Sequence, residues 1–153
     1  MPVPLPMNVR EFTPGDVTSV IEIAAGSSDA AQWSRESYSS LLEAGAQGWV
    51  TASGEAVLGF LLARRAGDEL EILNLAVSAA SRRKGIGSVL LREALSWASQ
   101  NEVANVHLEV RASNDAARRF YESHGFRIAG QRPGYYSHPP DDAVLLFLHV
   151  AKK

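Results

Sequence analysis

The run from Leu70 to Val77, Leu-Glu-Ile-Leu-Asn-Leu-Ala-Val, is too apolar to face water on both sides. It passes through a polar loop, Ser78 to Lys84, into a stretch where Ile86, Val89, Leu90, Ala94 and Trp97 recur at helical spacing as far as about Asn101. A buried strand feeding the longest amphipathic helix of the chain commits it to a sheet with helices packed on its faces. Glu69 to Val77 is expected to be the central strand.

The flanking segments extend this pattern. Asn8 to Phe12 alternates as a strand, and Thr13-Pro14-Gly15-Asp16 starts a helix carrying Val17, Val20, Ile21 and Ala24. Ser27-Ser28-Asp29 breaks it, and Ser34 caps a second helix that runs to about Glu43 before Gly45. Gly48 to Ala52 and Val57 to Ala63 read as a hairpin around Ser53-Gly54-Glu55. Val106, Leu108 and Val110 alternate with His107, Glu109 and Arg111, which predicts a strand over Asn105 to Arg111. Ser113-Asn114 then caps a short helix ended by Gly125. Its Ala117, Phe120, Tyr121 and His124 share a face, with Phe120 expected as the core residue. Phe126 to Gly130 and Ala143 to Val150 are the last strands, with a Pro/Gly/Tyr/Asp loop expected between them.

Composition narrows the function classes. The 153 residues include no cysteine, which excludes thiolate metal sites, catalytic cysteine and disulfides. A net charge of −2 with no long basic run gives no broad field for duplex nucleic acid, so none is expected as a partner. His107, His124, His138 and His149 lack paired metal-ligand spacing, and no metal is expected. There is neither a signal-like leader nor an apolar run of about 20 residues, so a cytoplasmic protein without membrane association is expected. Met1 to Pro6 reads as an extended tail, with an ordered single domain from Met7 to Lys153.

Arg82-Arg83-Lys84-Gly85-Ile86-Gly87, between the buried strand and the long helix, is the sharpest chemical feature. A helix opens with amide N–H groups that have no partner, its dipole favours negative charge, and glycines let an anion approach the main chain. The same glycines also suit a plain turn. Lys84 precedes Gly85, which excludes a Walker loop, and Leu90 stands where a dinucleotide fingerprint needs its third glycine.

This Arg-x-x-Gly-x-Gly loop, followed by Ser113-Asn114-Asp115-Ala116-Ala117-Arg118-Arg119-Phe120-Tyr121-Glu122-Ser123-His124-Gly125-Phe126, resembles the GCN5-related N-acetyltransferase (GNAT) superfamily. Glu71 to Val77 and Leu108 to Asn114 resemble its RimI-type branch of protein N-terminal acetyltransferases, and the likeness is dense from about Glu69 to Tyr136. The resemblance implies an α/β (α+β) fold of GNAT type: a mixed, mostly antiparallel sheet of about seven strands, with strands 4 and 5 splayed and helices on both faces. It implies acetyl-CoA as donor, its pyrophosphate held by Arg82, Arg83, Lys84, Gly85, Ile86, Gly87 and Ser88. Ala76 and Val77 would lie along the pantetheine, with an oxyanion-holding amide near Val77. Asn114 and Tyr121 would also touch the cofactor. The implied acceptor is the N-terminal amine of a protein, a ribosomal protein among the candidates.

Transfer requires a neutral amine, and an α-amine with pKa of about 7.7 to 8.0 loses its proton far more readily than lysine at about 10.4. Glu109 matches the branch's base, acting directly or through one water; an ion pair with Arg111 or another basic neighbour is the competing role. Glu71 is the rival base and an acceptor-side residue. Tyr121 matches the family's acid, since a phenol stays protonated at neutral pH and can supply the departing thiolate; a half-core tyrosine is the alternative. Tyr135 and Tyr136 resemble an acceptor wall, against a tyrosine turn packed on its own loop. Trp33, with Tyr38, is the opposite wall or else core. Lysine or small-molecule amines, and a CoA-sensing module without turnover, remain the other readings.

Overall fold

The computed structural model describes residues 7–27 and 29–151. The expected tail Met1 to Pro6 and Ser28 of the expected helix break lie outside the described residues. Seven strands hydrogen-bond in the order β1 (Met7–Glu11), β2 (Gln47–Ser53), β3 (Ala56–Ala66), β4 (Glu69–Val77), β5 (Asn105–Arg111), β7 (Pro140–His149) and β6 (Arg127–Ser137). Among the described residues four α-helices accompany them: α1 (Val17–Ala25), α2 (Arg35–Glu43), α3 (Ile86–Gln100) and α4 (Asp115–Ser123). The chain divides into two compact units, residues 7–65 with 72–97 and residues 66–71 with 98–151.

In the first unit, β1, β2 and β3 form an antiparallel ladder. Phe12, Val17, Val20, Ile23, Tyr38, Val50, Phe60, Leu62 and Ala76 make its core. Ser34 caps α2 as expected, its side chain accepting from the Ser37 amide. Arg10 reaches Asp16 with both guanidinium nitrogens at 2.8 Å. Gly59 on β3 lets α3 settle closely, since a Cβ there would lie 3.0 Å from Ile86 Cγ2 and 3.2 Å from the Ala76 carbonyl. That approach fixes where the first turn of α3 begins.

In the second unit, the first residues of β4 pair in parallel with β5, Glu69, Leu70 and Glu71 opposite Asn105, Val106 and His107. The two strands pair at these three positions, consistent with the expected splay beyond them. β5 pairs antiparallel with β7, and β7 with the edge strand β6. Val106 and Leu108 are buried and His107, Glu109 and Arg111 partly exposed, as the alternation predicts, while Val110, expected on the buried face, is also partly exposed.

The expected loop between the last two strands is a correction: β6 continues to Ser137 and β7 begins at Pro140. One register shift, between Ile128 and Gly130, falls at Ala129, and a second, between Arg132 and Tyr136, absorbs Pro133-Gly134. An edge strand tolerates a residue without an N–H donor, and a bulge tolerates glycine. Gly134, at φ +64°, donates its amide to Asp142 Oδ1 at 2.8 Å, so the irregular stretch is pinned by a side chain instead of a regular ladder.

Candidate active site

The first unit carries the loop features. Gly85 takes φ +76°, a conformation strained for any residue with a Cβ, and the space where a Cβ would stand is open. Val89 N donates to Gly85 O, closing the first turn of α3. The amides of Gly85, Ile86 and Gly87 have no acceptor among the described residues. Arg83 also takes a positive φ, 65°, and Arg82 to Lys84 are exposed. Arg82, however, donates to the Gly26 carbonyl at 2.9 Å, a contact at the C-terminal end of α1 that sequence inspection missed. On β4, Ala76 is buried and Val77 partly so.

Trp33 stands just before α2, partly buried, its ring edge-on to Tyr38 at 5.4 Å. With Ser34, Glu36, Ser37, Ser40 and Leu41 it lines an open groove of about 480 Å³. Tyr38 is fully buried, so of the two aromatics expected as a wall only Trp33 reaches the groove. Burial pushes the Tyr38 phenol above its usual pKa.

The second unit gathers Glu109, Arg111, Arg132, Tyr135 and Tyr136. Glu109 Oε1 pairs with Arg132 Nη2 at 3.2 Å, while Oε2 is buried and has no partner among the described residues. Of the competing basic neighbours, then, it is Arg132 that is met. Arg111 instead donates to the carbonyls of Pro139 and His138 at 2.8 and 3.3 Å and lies 4.2 Å over the Tyr136 ring. Tyr135 is exposed and meets Tyr136 edge-on at 5.1 Å. Burial, then the nearby Glu109 carboxylate, raises the Tyr136 phenol above its usual pKa. Glu71 stands opposite His107 on β4, on the partly exposed face of its strand.

Tyr121 on α4 is buried at 5% exposure, its ring 5.1 Å from Phe120 and 5.4 Å from Phe126. Phe120 is the more exposed of the pair, contrary to expectation, because the helix turns the tyrosine inward against Phe126. Burial pushes the phenol well above its usual pKa, so it holds its proton at neutral pH. Asn114 Oδ1 accepts from the Ala117 amide at 3.0 Å and is committed to capping α4. Ser113 is tied to Asp141 through its hydroxyl at 2.6 Å, a contact without a local sequence signal.

Residues 17–126 match the model of the acetyltransferase (GNAT) family. The chain belongs to that family. It is 38% identical over 86 residues to the [ribosomal protein bS18]-alanine N-acetyltransferase of Escherichia coli (strain K12), a match spanning 55% of this chain and 58% of that protein. The crystal structure of the ribosomal-protein-S18-alanine N-acetyltransferase from Escherichia coli superposes with a TM-score of 0.88 at 26% identity, covering 97% of this chain and 96% of that one. Ard1 from Thermoplasma volcanium superposes with a TM-score of 0.87 at 32% identity, covering 95% and 99%. The chain is an N-acetyltransferase whose donor is acetyl-CoA. Unpartnered main-chain donors at an open glycine turn suit the diphosphate of such a donor. Among the described residues no helix is long and apolar enough to cross a membrane.

Proposed function

We propose that the acceptor is the N-terminal α-amine of a protein, with a ribosomal protein the first candidate. The observation that carries this reading is the Glu109 carboxylate, one oxygen paired with Arg132 and the other buried without a partner among the described residues. A buried acceptor atom with no donor is costly, and an incoming ammonium supplies the missing donor. Glu109 would take the proton that the ammonium must lose. An α-amine needs only modest help at neutral pH, which one carboxylate can give. Glu71, on the partly exposed face of β4, would face the acceptor.

Acetyl-CoA supplies the acetyl group as an activated thioester. The amides from Arg83 to Ser88 would hold its diphosphate, with the Arg83 and Lys84 cations adding attraction. Arg82 would act from its seat on the Gly26 carbonyl. Ala76 and Val77 would flank the pantetheine, and the Asn114 amide group would contact the donor while its Oδ1 keeps the helix cap. Tyr121, held protonated by burial, would give its proton to the departing sulfur. Trp33, Tyr135 and Tyr136 would contact the acceptor peptide. The names of the bS18-alanine N-acetyltransferases similar to this chain support an alanine terminus.

Thiol release from acetyl-CoA, measured with N-terminal peptides differing in their first residue and with an N-blocked lysine peptide, tests the reading. Turnover on free α-amines, with alanine preferred, is expected. Turnover on the lysine peptide alone overturns it.

A further inference from the structure

Asn74 is not explained by the transfer chemistry. It lies on the buried face of β4 between Ile72 and Ala76 and is 6% exposed. An amide in an apolar strand must find partners or lose the hydration it gives up. Asn74 finds them outside its own strand. Its Oδ1 accepts from the Ala31 amide at 3.2 Å, and its Nδ2 donates to the Ala31 carbonyl at 3.0 Å and to the Tyr38 hydroxyl at 3.3 Å. The two bonds to Ala31 copy the pattern by which antiparallel strands exchange N–H and C=O, with a side chain standing in for one main chain.

Two further side chains hold described residues between the end of α1 and the start of α2. Gln32 Nε2 shares its two hydrogens among the carbonyls of Ala24, Ser27 and Ala30, at 2.6, 3.1 and 3.0 Å. Arg82 Nη2 holds the Gly26 carbonyl. Trp33 follows Gln32 directly, and its ring leans on the tyrosine whose hydroxyl Asn74 holds. One buried amide therefore sets both supports of Trp33: the main chain two residues before it and the ring beneath it.

We propose that Asn74 is a positioning residue for the acceptor, holding Trp33 and the mouth of the α2 groove in place to receive a polypeptide. This rests on Trp33 contacting the acceptor. An apolar residue would suit the strand at least as well by burial alone. The amide is needed only where the segment before α2 must keep one conformation.

The test uses the full chain. Asn74→Leu removes all three bonds, keeps the same branching of four side-chain heavy atoms and suits an apolar strand, Tyr38→Phe removes one bond and keeps the ring, and Gln32→Ala opens the segment from its exposed side. Each is assayed for kcat, for KM of an alanine-terminated peptide at saturating acetyl-CoA, and for KM of acetyl-CoA at saturating peptide. Amide exchange at Ala31 is read alongside. Asn74→Leu is expected to raise the peptide KM about tenfold and to speed Ala31 exchange at least as much, with kcat and the acetyl-CoA KM within about twofold. The other two variants are expected to raise the peptide KM about threefold. Parallel rises in both KM values overturn the proposal, as does an unchanged peptide KM with faster Ala31 exchange. If Asn74→Leu does not fold, unchanged peptide KM values in the other two overturn it.

Wild-type turnover on the peptide panel is read first and separately. If only the lysine peptide turns over, the α-amine reading falls and the KM comparison is made on that acceptor. If no acceptor turns over, the function reading falls, and unchanged Ala31 exchange in Asn74→Leu overturns the positioning role independently.

Discussion

Asp16 in the first unit and Glu109 in the second are both carboxylates largely withdrawn from water, and the fold treats them in opposite ways. Asp16 Oδ1 takes one guanidinium nitrogen of Arg10, while Oδ2 takes the other nitrogen and the amide and hydroxyl of Thr13, all between 2.8 and 3.1 Å. Glu109 has one partner, at 3.2 Å, and a buried oxygen with none among the described residues. A saturated carboxylate stabilises the chain that surrounds it; a half-saturated one holds capacity for a molecule that arrives later. An orphaned atom alone does not mark a site, because Thr51 Oγ1 and Arg118 Nε are in the same condition. At Glu109 the orphan is a carboxylate oxygen, the acceptor an ammonium needs, on a strand face that also bears Arg111.

The contrast breaks most directly at Glu109. Glu109→Gln is expected to lower kcat/KM for peptide on the order of 1000-fold while leaving the denaturation midpoint unchanged, because the amide oxygen can still accept from Arg132. Thiol release and urea melts on the same preparation check this, and turnover near wild type would return Glu109 to a structural role and leave Glu71 as the base. Tyr121→Phe keeps the ring between Phe120 and Phe126 and removes the proton, so the rate should fall on the order of 100-fold with the fold intact. A rate within twofold of wild type, by the same assay, assigns the hydroxyl to packing alone.

The smallest effect belongs to Asp16. Asp16→Asn should lower stability by about 1–2 kcal/mol at neutral pH and leave kcat untouched. The Arg10 guanidinium, followed by the Thr13 donors, holds the Asp16 carboxyl below its ordinary value. Its contribution is therefore complete above the unfolded value near 3.8 and fades as pH falls through the lower folded value. Urea melts of wild type and variant should converge below about pH 4. A gap that stays constant into acid would mean the carboxylate charge is not what Arg10 reads.

Sequence and structure agree where the signal is local. Alternation located β5, the apolar run located β4 at the centre of the strand order, and Ser34 and Asn114 were recognisable as caps because capping is decided within three residues. They part where the deciding contact is distant. Glu109 meets Arg132 instead of Arg111 because β7 lies between β5 and β6 and a shifted register brings Arg132 within reach, which no spacing within β5 could reveal. Pro133-Gly134 argued for a loop, and only the edge position of β6 with the Asp142 anchor makes it strand. Asn74 was read only as part of the apolar run of β4, and nothing local marks its role, because its partner Ala31 stands 43 residues away.

The chain alone determined the order of its elements, the glycine turn before α3 and the residue types available for proton transfer, since periodicity, capping and left-handed turns act over a few residues. Tertiary structure decided which carboxylate is left unsatisfied, which tyrosine is buried and which segment is held before α2. Those outcomes depend on strand register and on side chains meeting across the fold, where the cost of an unmatched buried group is settled by neighbours far apart in sequence.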